Sequence, residues 1–156
     1  MIKVLFVCTG NTCRSPMAKA LLLQRLQHQN EMLDIGEIEV WSAGLFAQEG
    51  LPASPEAIKA MNEEGIDISG HRALLLRDAL ISDADLVLTM TVSQRDYLLE
   101  RFPEKSVNTY TLSEFIGDGA GEVLDPYGQD LEAYRRNLGQ LKLLVDRLLF
   151  KIIESK

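Results

Sequence analysis

Cysteine, histidine and positive charge are all scarce in this chain. Only two cysteines, Cys8 and Cys13, and two histidines, His28 and His71, occur among 156 residues. Their spacing matches neither a disulfide framework nor a zinc site, so no metal and no other cofactor is expected. Sixteen lysines and arginines stand against 23 acidic residues, a formal charge of -7. That balance leaves no broad basic surface to neutralise a nucleic-acid backbone, and any anion site has to be local. The apolar run at the amino terminus, Ile2-Lys3-Val4-Leu5-Phe6-Val7, is too short for a signal peptide or a spanning helix. These absences point to a cytoplasmic protein with neither nucleic acid nor a membrane as partner.

What remains is an ordinary globule, 46% apolar and 25% charged, with no internal repeat, low-complexity tract or linker, expected to form a single domain over 1–156. The run 2–7, rich in Val, Ile and Phe, suits a strand buried on both faces of a parallel sheet. Pro16 opens a stretch of good helix formers reaching about Gln27. Further strands are expected at Ile38–Ser42, ended by Gly44, at Asp85–Met90 and, more weakly, at Val107–Tyr110. Ser54-Pro55-Glu56 reads as the start of a helix running to Gly65, and Ser93 as the cap of one running to Arg101. Leu131, Tyr134, Leu138, Leu141, Val145, Leu148 and Ile152 recur every three or four residues, the stripe of a long terminal helix that should cover one face of the sheet. Strands alternating with helices imply an α/β three-layer sandwich around a parallel sheet of about four strands with right-handed crossovers. Gly117-Asp118-Gly119-Ala120-Gly121 is the most flexible-looking stretch, just ahead of Asp125-Pro126-Tyr127.

The segment Cys8-Thr9-Gly10-Asn11-Thr12-Cys13-Arg14-Ser15-Pro16 joins the first strand to the first helix, where open parallel sheets bind ligands. Five residues between Cys8 and Arg14 let the backbone curl until its N–H groups converge on one point, with the guanidinium closing the ring. The helix start adds unpaired N–H groups and partial positive charge, so a tetrahedral phosphate can be held with neither a metal nor a lysine cluster. Gly10 and Asn11 are residue types that accept the positive φ expected of so tight a wrap. The same field favours the thiolate of Cys8, making a nucleophile that needs no general base. Attack on phosphorus would form a cysteinyl-phosphate while Arg14 makes parallel hydrogen bonds to the equatorial oxygens. Asp125, in a loop stiffened by Pro126, is the candidate acid that protonates the leaving group and then deprotonates the hydrolytic water. Taken singly, Cys8 reads as a buried apolar thiol, Arg14 as a surface cation, Ser15 as a cap and Asp125 as a turn residue; their combination at this spacing favours catalysis.

The loop Val7-Cys8-x-Gly10-Asn11-x-Cys13-Arg14-Ser15-Pro16 together with Asp125-Pro126-Tyr127 resembles the low-molecular-weight protein-tyrosine phosphatase family. Ser42-Ala43-Gly44, Asp67–Arg72 and Ala84–Met90 look like further landmarks of it in order. The resemblance implies a phosphotyrosine protein phosphatase I-like fold, a phosphorylated protein as substrate, Cys8 as nucleophile, Arg14 as phosphate clamp and Asp125 as general acid. It further implies that Ser15 donates to the sulfur, that Asn11 holds the loop in shape, and that Thr9, Gly10, Asn11, Thr12, Cys13 and Ser15 form the substrate cradle, with Phe46 and Tyr127 at its mouth. Cys13 is similar to a family cysteine that forms a reversible disulfide with the nucleophile; a small residue packed beneath the loop is the alternative. A monomer or a weak dimer fits the family equally.

Thr12 stands where tyrosine-directed members usually have an aliphatic residue. A hydroxyl in place of that bulk suits a slender guanidinium with N–H groups to satisfy. The loop therefore looks like the bacterial protein-arginine phosphatase branch, and Thr91, where eukaryotic members tend to have Asp, points the same way. Phosphoarginine is the favoured substrate and phosphotyrosine the alternative. Two other classes remain open: a module that binds phosphorylated side chains without cleaving them, for which Cys8 and Asp125 would be superfluous, and a thiol redox protein, which would be expected to carry a Cys-x-x-Cys spacing that is absent.

Overall fold

The computed structural model describes residues 1–30, 36–117 and 121–155. Its centre is the parallel strand β1 (Ile2–Cys8), which pairs with β2 (Ile38–Gly44) on one side and β3 (Leu86–Thr89) on the other; β4 (Thr109–Thr111) completes the sheet in the order β2-β1-β3-β4. Because β1 is flanked on both sides and covered on both faces, its alternate side chains enter two different cores. Val4, Phe6 and Cys8 join one cluster, and Leu5 and Val7 join the other. This explains an apolar run with no polar alternation.

Helices α1 (Arg14–Asn30), α2 (Pro55–Glu63) and α6 (Leu131–Glu154) pack over the first face. The α6 stripe meets Met17, Leu21 and Leu22 of α1 and the strand residues Phe6 and Leu88 in one continuous core, with all its periodic positions buried except half-buried Leu131. Helices α3 (Asp78–Asp83) and α4 (Val92–Arg101) cover the second face through Ile81 and Leu98. A short helix α5 (Leu112–Ile116) follows β4 directly. The result is the expected three-layer α/β sandwich with four parallel strands.

Several local expectations shift. Ser54 does cap α2, accepting from Ala57 N, with Pro55 in the first turn. The cap of α4 is Thr91, not Ser93: Thr91 accepts from Gln94 N while Gln94 accepts from Thr91 N, a reciprocal pair that starts the helix two residues earlier. The last strand spans 109–111, not 107–110, and Val107 is exposed ahead of it. The short helices α3 and α5 lacked a periodic signature and were not expected. Of the glycine-rich stretch, 118–120 lie outside the described residues; Gly117, at φ 69°, ends α5 in the left-handed conformation that favours glycine.

The chain leaves β1 toward β2 on one side and later returns to β3 on the other, so the carboxyl end of β1 is a topological switch point. The loops after β1, β2 and β3 and the segment after α5 converge there.

Candidate active site

Loop 9–13 is suspended from the end of β2. Leu45 N donates to Cys8 O and Phe46 N to Thr9 O, each at 2.9 Å. Gly44 makes this approach possible: a Cβ there would sit 2.7 Å from Thr9 O and 2.9 Å from Asn11 N. On the far side, Ser54 N donates to Thr12 O and Gln94 Nε2 to Thr9 Oγ1. A loop that belongs to neither helix nor sheet is thus held by three neighbouring elements, two of them through its backbone and one through the Thr9 hydroxyl.

Asn11 is the keystone. Its φ of 56° is the one positive value at a non-glycine among the described residues, and asparagine tolerates that region better than most. Gly10, expected to share it, does not adopt it. Nor is Gly10 crowded: the nearest atom to a Cβ there would be Thr12 Oγ1 at 3.8 Å. It lines the cavity, where a bound ligand rather than the protein would meet a side chain. The Asn11 side chain, wholly buried, donates through Nδ2 to Ser15 Oγ (2.7 Å) and Ser42 Oγ (3.0 Å) and accepts from Leu74 N (2.9 Å). His71 Nε2 lies 2.7 Å from Asn11 O. Burial, above all, pushes the His71 pKa below its ordinary value, with Lys19 and Arg72 adding repulsion against the opposing hydrogen bond to Asn11. The ring therefore stays neutral near pH 7, and its Nε2–H donates to the carbonyl.

At the bottom of the loop Cys8 Sγ accepts from Asn11 N (3.3 Å) and lies 2.8 Å from Ser15 Oγ. Because Asn11 Nδ2 already donates to Ser15 Oγ, the serine hydroxyl is left to donate to sulfur. Ser15 is itself fully buried and does not line the cavity. Its expected place in the substrate cradle is corrected: in the first turn of α1, its hydroxyl is taken up by the sulfur and Asn11. Cys13 Sγ is 3.4 Å from Ser54 Oγ and 3.3 Å from Tyr134 Oη, and both cysteines are free thiols. Desolvation, reinforced by the bond to Cys13, pushes the Tyr134 phenol far above its ordinary value, so it remains a hydroxyl.

Above Cys8 opens a cavity of about 320 Å³ lined by the loop from Cys8 to Arg14 and by Phe46, Gln48, Leu51, Asp125 and Tyr127. Arg14, at 4% exposure, is the cation in its wall. Its Nη1 donates to Val123 O (3.0 Å), Nη2 lies 3.6 Å from Asp125 Oδ2, and its buried Nε has no protein partner. A guanidinium in the cavity wall that is fixed through Nη1, with Nε unpartnered and Nη2 only loosely paired to the exposed Asp125 carboxylate, keeps donors for an oxyanion. Asp125 Oδ1 accepts from Tyr127 N at 3.0 Å, which turns Oδ2 toward Arg14. Phe46 and Tyr127 are exposed at the rim, and Phe46 rests against Tyr97 with ring centroids 5.2 Å apart.

Residues far apart in sequence are therefore brought together: Cys8, the 9–14 loop, Phe46, Asp125 and Tyr127 share one cavity. Thr91 is not among its walls. Gln48 and Leu51 were not foreseen, and no sequence signal distinguished them. Ser42 and His71 lie within stretches noted as landmarks, but their roles depend on contacts 31 and 60 residues away along the chain. Among the described residues no group of three or more His, Cys, Asp or Glu side chains could hold a metal ion, and no helix is long and apolar enough to cross a membrane.

Residues 3–156 match the family model described as low molecular weight phosphotyrosine protein phosphatase. The chain is 44% identical over 150 residues to a protein-arginine-phosphatase of Geobacillus stearothermophilus, covering 96% of this chain and 95% of that one. It is 41% identical to a probable low molecular weight protein-tyrosine-phosphatase of Ralstonia nicotianae, covering 94% and 93%. Among solved structures, the Geobacillus stearothermophilus arginine phosphatase aligns with a TM-score of 0.88 at 42% identity, covering 99% of this chain and 95% of that one. An arginine phosphatase carrying a cysteine-to-serine change and a phosphorylated active-site serine aligns at 0.89 and 34% identity, covering 96% and 95%. This chain belongs to the low molecular weight phosphotyrosine protein phosphatase family.

Proposed function

We propose that this enzyme removes phosphate from arginine side chains of proteins through a cysteinyl-phosphate. The observation that carries the phosphatase reading is one cavity holding the Cys8 sulfur, the Arg14 guanidinium and the Asp125 carboxyl group. Loop amides and Arg14 hold the phosphoryl oxygens. As Cys8 Sγ forms its bond to phosphorus, the P–N bond breaks and Asp125 delivers a proton to the departing nitrogen. The thiolate begins the reaction with hydrogen bonds from Ser15 and the Asn11 amide. Water then attacks the S–P bond, Asp125 takes its proton, and Cys8 leaves as the same stabilised thiolate. Arg14 carries the charge that spreads over the equatorial oxygens in both steps.

Thr12 supports arginine as the preferred side chain. It lines the cavity, and the nearest polar partner of its hydroxyl among the described residues is Cys13 Sγ, at 3.7 Å. That leaves an oxygen to accept from a guanidinium N–H. The name of the Geobacillus stearothermophilus relative agrees with this reading. Phosphotyrosine is the second reading, favoured by the exposed rings of Phe46 and Tyr127 at the rim.

The test compares kcat/KM on phosphoarginine and phosphotyrosine peptides for the wild type and Thr12→Ile. The wild type should prefer phosphoarginine, and the substitution should move the ratio toward tyrosine by about 10- to 200-fold, the usual worth of one small group in a pocket. A wild type that prefers tyrosine, with a ratio the substitution leaves unmoved, contradicts the assignment to arginine.

A further inference from the structure

Four successive carbonyls lead into the segment that carries Asp125, and each is taken by a different side chain. Gln140 Nε2 donates to Glu122 O at 3.1 Å, Arg14 Nη1 to Val123 O at 3.0 Å, Asn137 Nδ2 to Leu124 O at 2.7 Å and Gln129 Nε2 to Asp125 O at 3.2 Å. Residues 121–126 form neither helix nor strand, so these side chains stand in for a backbone ladder. The bond from Asn137 is the shortest of the four, and Asn137 is buried at 7% exposure.

Nothing in helix packing calls for an asparagine at this place. It interrupts the buried face of α6 between Tyr134 and Leu141, where leucine would favour the helix more and cost no desolvated amide. Its Oδ1 has no partner, so what the amide contributes is its donor. The Leu124 carbonyl shares a planar peptide unit with the Asp125 nitrogen. Fixing that oxygen fixes the plane from which Asp125 departs, and with it the direction in which the carboxyl group enters the cavity.

We propose that Asn137 is a positioning residue for Asp125, holding the acid where a leaving group can collect its proton. This inference rests on the reading of Asp125 as the general acid. An aryl phosphate with a stable leaving anion, para-nitrophenyl phosphate, needs that proton little when P–O breaks and S–P forms; phenyl phosphate needs it much more. Loss of position therefore shows as a loss that depends on the leaving group.

The experiment measures kcat/KM on both esters for the wild type, Asn137→Ala, Asn137→Asp and Asp125→Asn, with inhibition by inorganic phosphate as a readout of whether the 9–14 loop still binds the anion. Asn137→Ala should lose about 10- to 100-fold on phenyl phosphate but under about threefold on the nitrophenyl ester, the scale set by imperfect placement of an acid. Its phosphate inhibition constant should stay as in the wild type. Asn137→Asp keeps the shape of the side chain and guards against a cavity that unfolds the alanine variant. Ionised, it has no donor for Leu124 O; protonated, it regains one, so its deficit on phenyl phosphate relative to wild type should shrink as the pH falls. Equal losses on the two esters, or no loss, overturn the positioning role if Asp125→Asn still shows the leaving-group dependence. Should Asp125→Asn itself show none, the assignment of the acid fails first and takes the positioning role with it.

Discussion

Gly44 offers a sharp test of how the phosphate loop is held, because the change is a single methyl group and its collisions are specified. A Cβ at this position would lie 2.7 Å from Thr9 O, 2.9 Å from Ala47 Cβ and 2.9 Å from Asn11 N. Ordinary contact begins near 3.4 Å, so these atoms must withdraw by 0.7, 0.5 and 0.5 Å, the differences from 3.4 Å. Two of the three are loop backbone, which cannot swing aside as the end of a side chain does. Gly44 cannot retreat either, since its N–H donates to Leu74 O and its carbonyl accepts from Leu76 N, both at 2.9 Å. Gly44→Ala should therefore cost about 1–3 kcal/mol of stability, as overpacking generally does. It should also lower kcat/KM by about 10- to 100-fold, because the displaced backbone belongs to the loop around Cys8 and includes the Asn11 N–H that donates to the sulfur. Gly139→Ala makes the same chemical change in open space on α6, where alanine should stabilise by about 0.5–1 kcal/mol and leave turnover alone. Urea unfolding and steady-state kinetics on both variants decide the matter. A Gly44→Ala protein as stable and active as the wild type would refute the close approach of β2 to the loop.

Two further expectations concern the same loop. Asn11→Ala removes three side-chain hydrogen bonds, two of them buried, and places alanine at φ 56°, so urea unfolding should show a loss of about 2–4 kcal/mol and turnover should collapse with it. For His71 the sign follows from burial: the folded pKa lies below the ordinary 6.5, so below that pH the unfolded chain binds the proton more readily. Its contribution is complete above pH 6.5 and is lost as the pH falls toward the folded value. Between about pH 8 and pH 5 the unfolding free energy of the wild type should decline more steeply than that of His71→Gln; parallel curves would show that the ring is not buried as described.

Much of this architecture could be read from residue order, and the reasons differ from element to element. Strand β1 and helix α6 announced themselves because each makes one kind of contact along its whole length, a doubly buried strand and a single apolar stripe. The five-residue gap from Cys8 to Arg14 and the chemistry of those two side chains pointed to an anion cradle, since a loop that short closes on itself locally. Asp125 was accessible through its turn chemistry with Pro126, while its approach to Arg14 spans 111 positions of chain. The family resemblance pointed correctly to a Ser15 hydroxyl on the Cys8 sulfur and to Asn11 as the holder of the loop; that this contact takes Ser15 out of the cavity lining depends on its full burial, which local sequence does not reveal. Gly10 was misjudged: asparagine alone takes the left-handed residue of the loop. Helices α3 and α5 are six and five residues long, too short for periodicity. Gln94, Asn137 and Gln140 support the site through single hydrogen bonds across the fold, which leave no mark on local sequence.

The central claim is that sulfur, not water, first takes the phosphoryl group. Rapid quenching of the enzyme during turnover, followed by mass analysis of its peptides, tests it directly. Phosphate should be found on Cys8, appearing within the first turnover and decaying at the rate of product formation. Product formed with no phosphorylated protein at any time, or with phosphate on a residue other than Cys8, would contradict it.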